Sequence, residues 1–502
     1  MRRKLSMYII FVALFLFLAA CSNSTSTTEQ QEGGGDVNES NGEMTELNVA
    51  FYITGEPPRD MKLVEEKVNE LTKEKINATV KLMPIALGDY TQQMNLILSG
   101  NEQLDLAVTS GRMGFTGRAT RGQLLELDDL LEEFGQDIKN VMDEEILNAP
   151  RLNGKLFGIP TNRDLAGSVG FNMRTDLVEK HNIDLESVKT MGDLEEVLRT
   201  IKENEPGVEP LLPFNVAVPH TNVVSWFDNL GDFFGVLPND SDNLEVVNLY
   251  ETDEYKEFVS TMRRWYTEGL ILSDITTTTE SRSALLTGNK SFGWFGPQKP
   301  GVEGQESRGA GVSISSVSLG EPISYTHHAT GVMWSIPRNS GDPEKAMQFL
   351  NLMYVDEELV NLLNWGIEGE HYVFNNDNLV TYPEGVDGSN NGYRIAMSYL
   401  WGDSFLTYIA EGDEPTLWED TRTFNENATK SKALGFIFDP TPVSSELTAL
   451  DNVKNEYAIA LETGVMDPET HLPEFIQRLK DAGIDKYIEE KQRQLDEWAK
   501  NN

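Results

Sequence analysis

LNVAFYITGEPPRDMKLVEEKVNELTKEKINATVKLMPIALGDYTQQMNLILSGNEQLDLAVT, residues 47–109, decides the fold of this chain. Leu47, Val49 and Phe51 alternate with Asn48, Ala50 and Tyr52 until Gly55-Glu56-Pro57-Pro58 break the run, which reads as a strand ending in a loop. Met61, Val64, Val68 and Leu71 recur at helical spacing among Lys and Glu. A second strand runs from Ala78 to Met83 and is closed by Pro84. Tyr90, Met94, Ile97 and Leu98 stripe a helix that Gly100 ends, and Leu104 to Thr109 form a third strand. The order βαβαβ predicts a parallel sheet with right-handed crossovers. Ligands of such sheets sit beyond the carboxyl ends of the strands, here the loops Thr54-Gly55 and Ser110-Gly111-Arg112. Arg112 is therefore a candidate for binding, whereas Asp105, at the start of its strand, reads as structural.

Upstream, Arg2, Arg3 and Lys4 precede an uncharged, mostly apolar run from Met7 to Leu18, then Leu18-Ala19-Ala20-Cys21. The run is too short for a spanning helix and ends at a small-residue cleavage site, the layout of a signal peptide over 1–20. The tetrad resembles the lipobox of bacterial lipoproteins, which implies cleavage before Cys21 and diacylation of its thiol. Two acyl chains suffice to hold a protein on a bilayer. Residues 21–46 are Ser, Thr, Asn, Gln, Glu and Gly with few large apolar side chains, and read as a disordered tether.

Cys21 is the single cysteine, so no internal disulfide is available and the fold rests on buried apolar surface, for which the length is ample. The 41 basic and 81 acidic residues give a formal charge of -40. That balance argues against a nucleic-acid partner and favours a protein that stays soluble and stands off anionic headgroups.

Downstream, Gly154 to Pro160 read as a hairpin or crossover, followed by the polar loop Thr161-Asn162-Arg163-Asp164, a place for the chain to change domain. A strand at Ser168 to Asn172 and a helix from about Asp176 follow. No internal repeat is visible.

Several segments resemble the extracellular solute-binding proteins of the carbohydrate-importing class, family 1. They are Gly122-Gln123-Leu124-Leu125-Glu126-Leu127-Asp128, the passage from Tyr266-Thr267-Glu268-Gly269-Leu270-Ile271 to Leu286-Thr287-Gly288-Asn289-Lys290-Ser291, and Gly331-Val332-Met333-Trp334 through Phe349-Leu350. Asn364-Trp365-Gly366-Ile367-Glu368-Gly369-Glu370-His371-Tyr372 and Gly435 to Val443, continued by Leu472-Pro473-Glu474-Phe475 and the helix to Trp498, resemble the larger Gram-positive lipoprotein receptors with an extended C-terminal region. The resemblance implies an α/β, two-lobed periplasmic-binding-protein-like fold of type II with a hinge between the lobes and a helical C-terminal region. The first lobe is expected over 47–162 plus about 325–375, and the second over 163–324 plus about 376–502. The implied function is that of a membrane-anchored, monomeric component of an ABC importer. It would bind a carbohydrate, an oligosaccharide, in the interlobe cleft and deliver it to the permease on the extracellular face of the membrane.

A sugar offers a C–H face and a rim of hydroxyls, so its site needs aromatic platforms beside planar polar groups. Of eight tryptophans, Trp294 is flanked by glycine and proline, Trp365 and Trp401 each precede a glycine, and Trp334 stands on the segment that resembles the returning strand. Core packing is the competing reading of each. Trp265 and Trp498 lie on helical stripes and are assigned to packing, while Trp226 and Trp418 stay open. Asn162, Arg163 and Asp164 follow the crossing and are the favoured polar candidates, with Arg112 and Glu370 second, although Arg163 and Asp164 equally suit a surface ion pair.

No cofactor is implied. Ala166-Gly167-Ser168-Val169-Gly170 imitates a nucleophile elbow but runs into strand instead of helix. His327-His328 and Asp240-Ser241-Asp242-Asn243 lack the spacing of zinc or EF-hand sites, and no metal is expected, with calcium the one alternative in a chain so rich in oxygen ligands. A glycan hydrolase, needing only two placed carboxylates, is the catalytic alternative. A peptide receptor or structural surface lipoprotein is the other.

Overall fold

The computed structural model describes residues 44–100, 102–212, 226–240 and 242–500. The signal segment, Cys21 and nearly all of the tether lie outside them. The first elements are β1 (Thr45–Ile53), α1 (Met61–Ile76), β2 (Ala78–Ala86), α2 (Leu87–Ser99) and β3 (Leu106–Thr109). There follow β4 (Ile159–Pro160), β5 (Ser168–Arg174), α3 (Met191–Asn204), β6 (Glu209–Leu212), α4 (Asp253–Thr267), β7 (Ser291–Gln298), β8 (Ile314–Ser318) and β9 (Met333–Ser335). The chain closes with the helices α5 (Pro343–Leu352), α6 (Glu357–Trp365), α7 (Leu417–Asn427), α8 (Ser444–Glu462), α9 (Pro468–Asp481) and α10 (Ile484–Ala499).

The βαβαβ reading holds. β1 pairs in parallel with both β2 and β3, and β9 and β4 complete a five-stranded sheet in the order β2-β1-β3-β9-β4. β2 does not stop at Pro84 but runs on to Ala86. As an edge strand it tolerates a residue that cannot donate to the ladder. α1 buries Val64, Val68, Thr72 and Ile76, a strict four-residue repeat, against this sheet and ends on Asn77 in the left-handed region. Asp105 is structural, accepting hydrogen bonds from the backbone of Asn48 and Gly341 and from the Ser340 hydroxyl.

The second sheet, in the order β8-β5-β7-β6, has β5 buried along its whole length. Its core joins residues from Val169 to Val317 with residues from Ala433 to Leu495, so α8, α9 and α10 are the layer that closes the second lobe. Phe475 of α9 meets Tyr250 edge-on at 4.7 Å between ring centroids. In α10, Lys491 is fully buried. Its ammonium donates to Asp232 at 2.8 Å and to the Gly235 carbonyl at 2.9 Å, and lies over the rings of Phe438 and Tyr487. Burial depresses the Lys491 pKa, and the Asp232 carboxylate opposes that shift. The Gln492 amide pairs with Leu244 and Val246, so one face of α10 holds Asp232, Gly235, Leu244 and Val246.

Among the described residues, three stretches cross between the lobes. The first follows β4 through Asn162 to Gly167, the second leads from β8 to β9, and the third lies between Trp401 and Ala433. Tyr393, Ile395, Met397, Leu400 and Trp401 pack in the first core, so the third passage falls later than the boundary near residue 375 read from the sequence. The crossings bond to one another. Asn162 donates its N–H to the Gly402 carbonyl and accepts from Ser404, Gly167 and Ile323 exchange backbone bonds, and Ile323–Ser324 pair in parallel with Thr429–Lys430. Gly402 has φ of 48°, and a Cβ there would lie 2.2 Å from the Met353 carbonyl oxygen, so only glycine fits.

Replacing Lys491 by Met leaves Asp232 facing the core without its countercharge and is expected to destabilise the second lobe by about 3 kcal/mol in urea unfolding. Adding Asp232→Asn should restore most of that loss, because a buried pair removed whole costs little.

Candidate ligand-binding site

A cavity of about 550 Å³ lies between the lobes. The first lobe contributes Thr54, Asn364, Trp365 and the stretch from Arg394 to Tyr399; the second contributes Lys299 to Gly301, Gln305 and Arg308. The crossings add Arg163 and Asp164, residues from Ser404 to Asp413, and Trp418 of α7.

Two tryptophans are held rigidly in this wall. Asn361 of α6 accepts from the Tyr408 N–H and donates to the Leu406 carbonyl, pinning that segment to the helix. The Trp365 indole then donates to the Tyr408 carbonyl at 3.1 Å and the Trp418 indole to Thr407 at 2.6 Å. Their polar atoms are used up by backbone, and Phe405 meets Trp418 edge-on at 5.9 Å.

The charged groups also bridge segments. Asp164 accepts from Arg163 at 2.8 Å and from Lys299 at 2.7 Å, tying the first crossing to the end of β7. Burial alone would raise the Asp164 carboxyl, but the two cations hold it well below the usual carboxylate range. The Arg163 guanidinium lies 5.5 Å from the centre of the Tyr399 ring. Arg308 grips Asp413 through two bonds of 2.9 Å, a fork-to-fork pair joining the second lobe to the third crossing. Beneath the cavity, burial pushes Asp403 up to about 6 against the bonds it accepts from Phe405 and Asn162. Burial, reinforced by the charges of Arg163 and Arg112, lowers His328 to about 4.

Among the sequence candidates, Arg163, Asp164 and Trp365 line this cavity, as does the Thr54 loop. The others do not. Trp294, Trp334 and Trp401 are each 0% exposed: Trp294 packs in the second core under the Arg282 guanidinium, and Trp334 and Trp401 lie in the first, with the Trp334 indole bonded to the Leu400 carbonyl. Gly293 and Gly296 lie within β7, where Phe171 and Asn172 of β5 leave no room for a Cβ, and Gly402 marks a sharp turn under Met353, so neither setting opens a path to solvent. Asn162 is spent in the crossing, where its amide bonds Asp403. Arg112, exposed on the turn after β3, and Glu370, exposed on the turn after α6, lie outside the wall. Lys299, Arg308, Asn364, Tyr399 and Tyr408 were missed, and Trp418 was left open. Among the described residues, no group of three or more His, Cys, Asp or Glu side chains could hold a metal, and no helix is long and apolar enough to cross a membrane.

The pattern of the bacterial extracellular solute-binding protein family matches residues 55–359, and a domain of unknown function, DUF3502, matches residues 432–500, the layer of α8, α9 and α10. The chain belongs to the bacterial extracellular solute-binding proteins. A carbohydrate ABC transporter substrate-binding protein of Streptococcus pneumoniae serotype 4 is 29% identical over 505 residues, covering 98% of this chain and 97% of the relative. Lipoprotein LipO of Bacillus subtilis strain 168 is 26% identical over 384 residues, 71% of each chain. The N-glycan transport solute-binding protein NgtS of Streptococcus pneumoniae superposes with a TM-score of 0.81 at 27% identity, over 91% of this chain and 99% of that one. Its complexes with Man1GlcNAc and Man5GlcNAc superpose with 0.73 and 0.70.

Trp294→Ala is expected to lower stability by about 3–5 kcal/mol in denaturant titration, as loss of a buried aromatic does. His328 has a folded pKa near 4 against an ordinary 6.5, so its contribution is complete above pH 6.5 and falls away as pH drops to about 4. Tm measured across that interval should fall less steeply in His328→Gln than in the parent.

Proposed function

We propose that this protein is the lipid-anchored, substrate-binding component of an ABC importer, which captures an oligosaccharide in the interlobe cavity and presents it to a membrane permease. The observation that carries the reading is the cavity wall itself. Trp365 and Trp418, with their indole nitrogens fixed by backbone, stand with Arg163, Asp164, Lys299, Arg308 and Asn364 around a space within the range of about 300–1,000 Å³ usual for small-molecule sites. Aromatic surface for C–H faces and planar side chains for hydroxyls is the chemistry a glycan needs.

Similarity supports this. The relative that spans nearly the whole chain is a carbohydrate ABC transporter substrate-binding protein, and NgtS is described with mannose-containing N-glycans bound. The TM-score is 0.81 for one NgtS structure and 0.73 and 0.70 for its complexes with Man1GlcNAc and Man5GlcNAc, so NgtS structures differ among themselves, as two-lobed binding proteins that open and close do. Binding would bias a hinge equilibrium through contacts made on both lobes at once. Cys21, in its lipobox-like setting, supplies the anchor, and the protein acts without cofactor or catalysis.

Thermal-shift and calorimetric titration of residues 45–502 against mono- and oligosaccharides, with peptides and calcium as controls, tests the reading. The expected result is stabilisation by one glycan class, with the glycan recovered unchanged; hydrolysis, or a response to peptides alone, would overturn it. Trp365→Ala and Trp418→Ala should each weaken binding by about 1–3 kcal/mol while the protein stays folded. Cys21→Ala in the full chain should shift the protein from the membrane fraction to the medium.

A further inference from the structure

Most polar side chains in the cavity wall already have partners within the protein. Arg163 and Lys299 hold Asp164, Arg308 holds Asp413, and the hydroxyls of Ser404, Thr407 and Thr421 donate to backbone carbonyls. Asn364 is different. Its residue is 1% exposed, its backbone carbonyl accepts from Ala396, and yet neither Oδ1 nor Nδ2 of its side chain has a hydrogen-bond partner.

The contrast with Asn361, one turn earlier on α6, is instructive. Asn361 is 2% exposed and uses both ends of its amide, donating to the Glu357 and Leu406 carbonyls and accepting from the Tyr408 N–H. A buried amide that forgoes both ends forfeits what it would have gained from water, and among the described residues Asn364 is the one buried amide with both ends unpaired. Asn364 sits beside Trp365 in the last turn of α6, at the wall of the cavity between the lobes.

We propose that Asn364 is the residue that reads the hydroxyl pattern of the ligand. On closure over a sugar the side chain, whose two polar atoms are covered in the unliganded protein, turns to the cavity: Nδ2 donates to one hydroxyl oxygen and Oδ1 accepts from the next, so the site selects a ring with two adjacent free hydroxyls, a vicinal diol. One carboxamide offers a donor and an acceptor side by side in a plane, the complement of two neighbouring hydroxyls that can each donate or accept. The inference rests on the cavity being a sugar site. It adds that the unliganded protein carries an unsatisfied amide so that the correct glycan can satisfy it, and a glycan lacking either hydroxyl leaves the amide unpaired.

The test compares the wild-type protein with Asn364→Leu, using the glycan found in the titrations above and its monodeoxy analogues. Unliganded Asn364→Leu is expected to melt no lower than wild type, since an apolar side chain of similar size replaces an unpaired polar one. Its affinity for the glycan should drop by about tenfold or more. One or two deoxy analogues should bind wild type about tenfold more weakly than the parent glycan, and the same analogues should bind the variant no worse than the parent does. If the variant fails to fold, Asn364→Ser decides by the same affinity criteria. Wild-type affinity in the variant, or an equal deoxy penalty in both proteins, overturns the role of Asn364 and leaves the cavity a sugar site. Failure of the wild type to bind any saccharide overturns both.

Discussion

Chain that passes between two lobes beside a ligand-sized gap cannot leave its backbone groups bare. Three crossings face that constraint here, and they meet it by pairing with each other. Asn162 bonds Gly402 and Ser404, Gly167 bonds Ile323, and Ile323–Ser324 lie against Thr429–Lys430. The Asn425 amide of α7 adds two more bonds, to the Arg163 carbonyl and the Leu165 N–H. These bonds join the three crossings into one seam. The same ties place Arg163 and Asp164 at the floor of the gap, where Lys299 of one lobe and Tyr399 of the other reach them.

Local rules carried the reading of the fold a long way. The alternation from Leu47 and the helical stripes to Leu98 need no tertiary information, and they returned the parallel β1, β2 and β3. Arg163 and Asp164 were legible because a polar loop directly after a short hairpin is where a chain changes domain. Most of the remaining wall was not legible. Lys299, Arg308, Tyr399, Tyr408 and Trp418 come from segments about 100 residues apart that no periodicity links, and only the folded crossings bring them together.

The tryptophans show the limit most clearly. A neighbouring glycine was read as a sign of a loop and hence of access to a ligand. Trp401 precedes Gly402 for another reason: the backbone must turn sharply beneath Met353, while the indole enters the core edge-on to Phe51 at 4.9 Å. Trp365 also precedes a glycine in the left-handed region, and its ring stays at the cavity because its N–H is captured by Tyr408. Identical local sequence signals thus lead to opposite places.

The clamp around Lys491 bears on how the chain matures during synthesis. The first lobe has all its core residues once Trp401 has emerged, even though the strands of the second lobe were made in the middle of that stretch. The second lobe lacks its closing layer until α8, α9 and α10 have been made, and the ammonium that pairs with Asp232 stands on the last of them. Until those helices are made, a nascent molecule carries one finished half and one apolar, unsealed half. A lysine made 259 residues after the carboxylate it holds is thus among the last groups needed to seal that half.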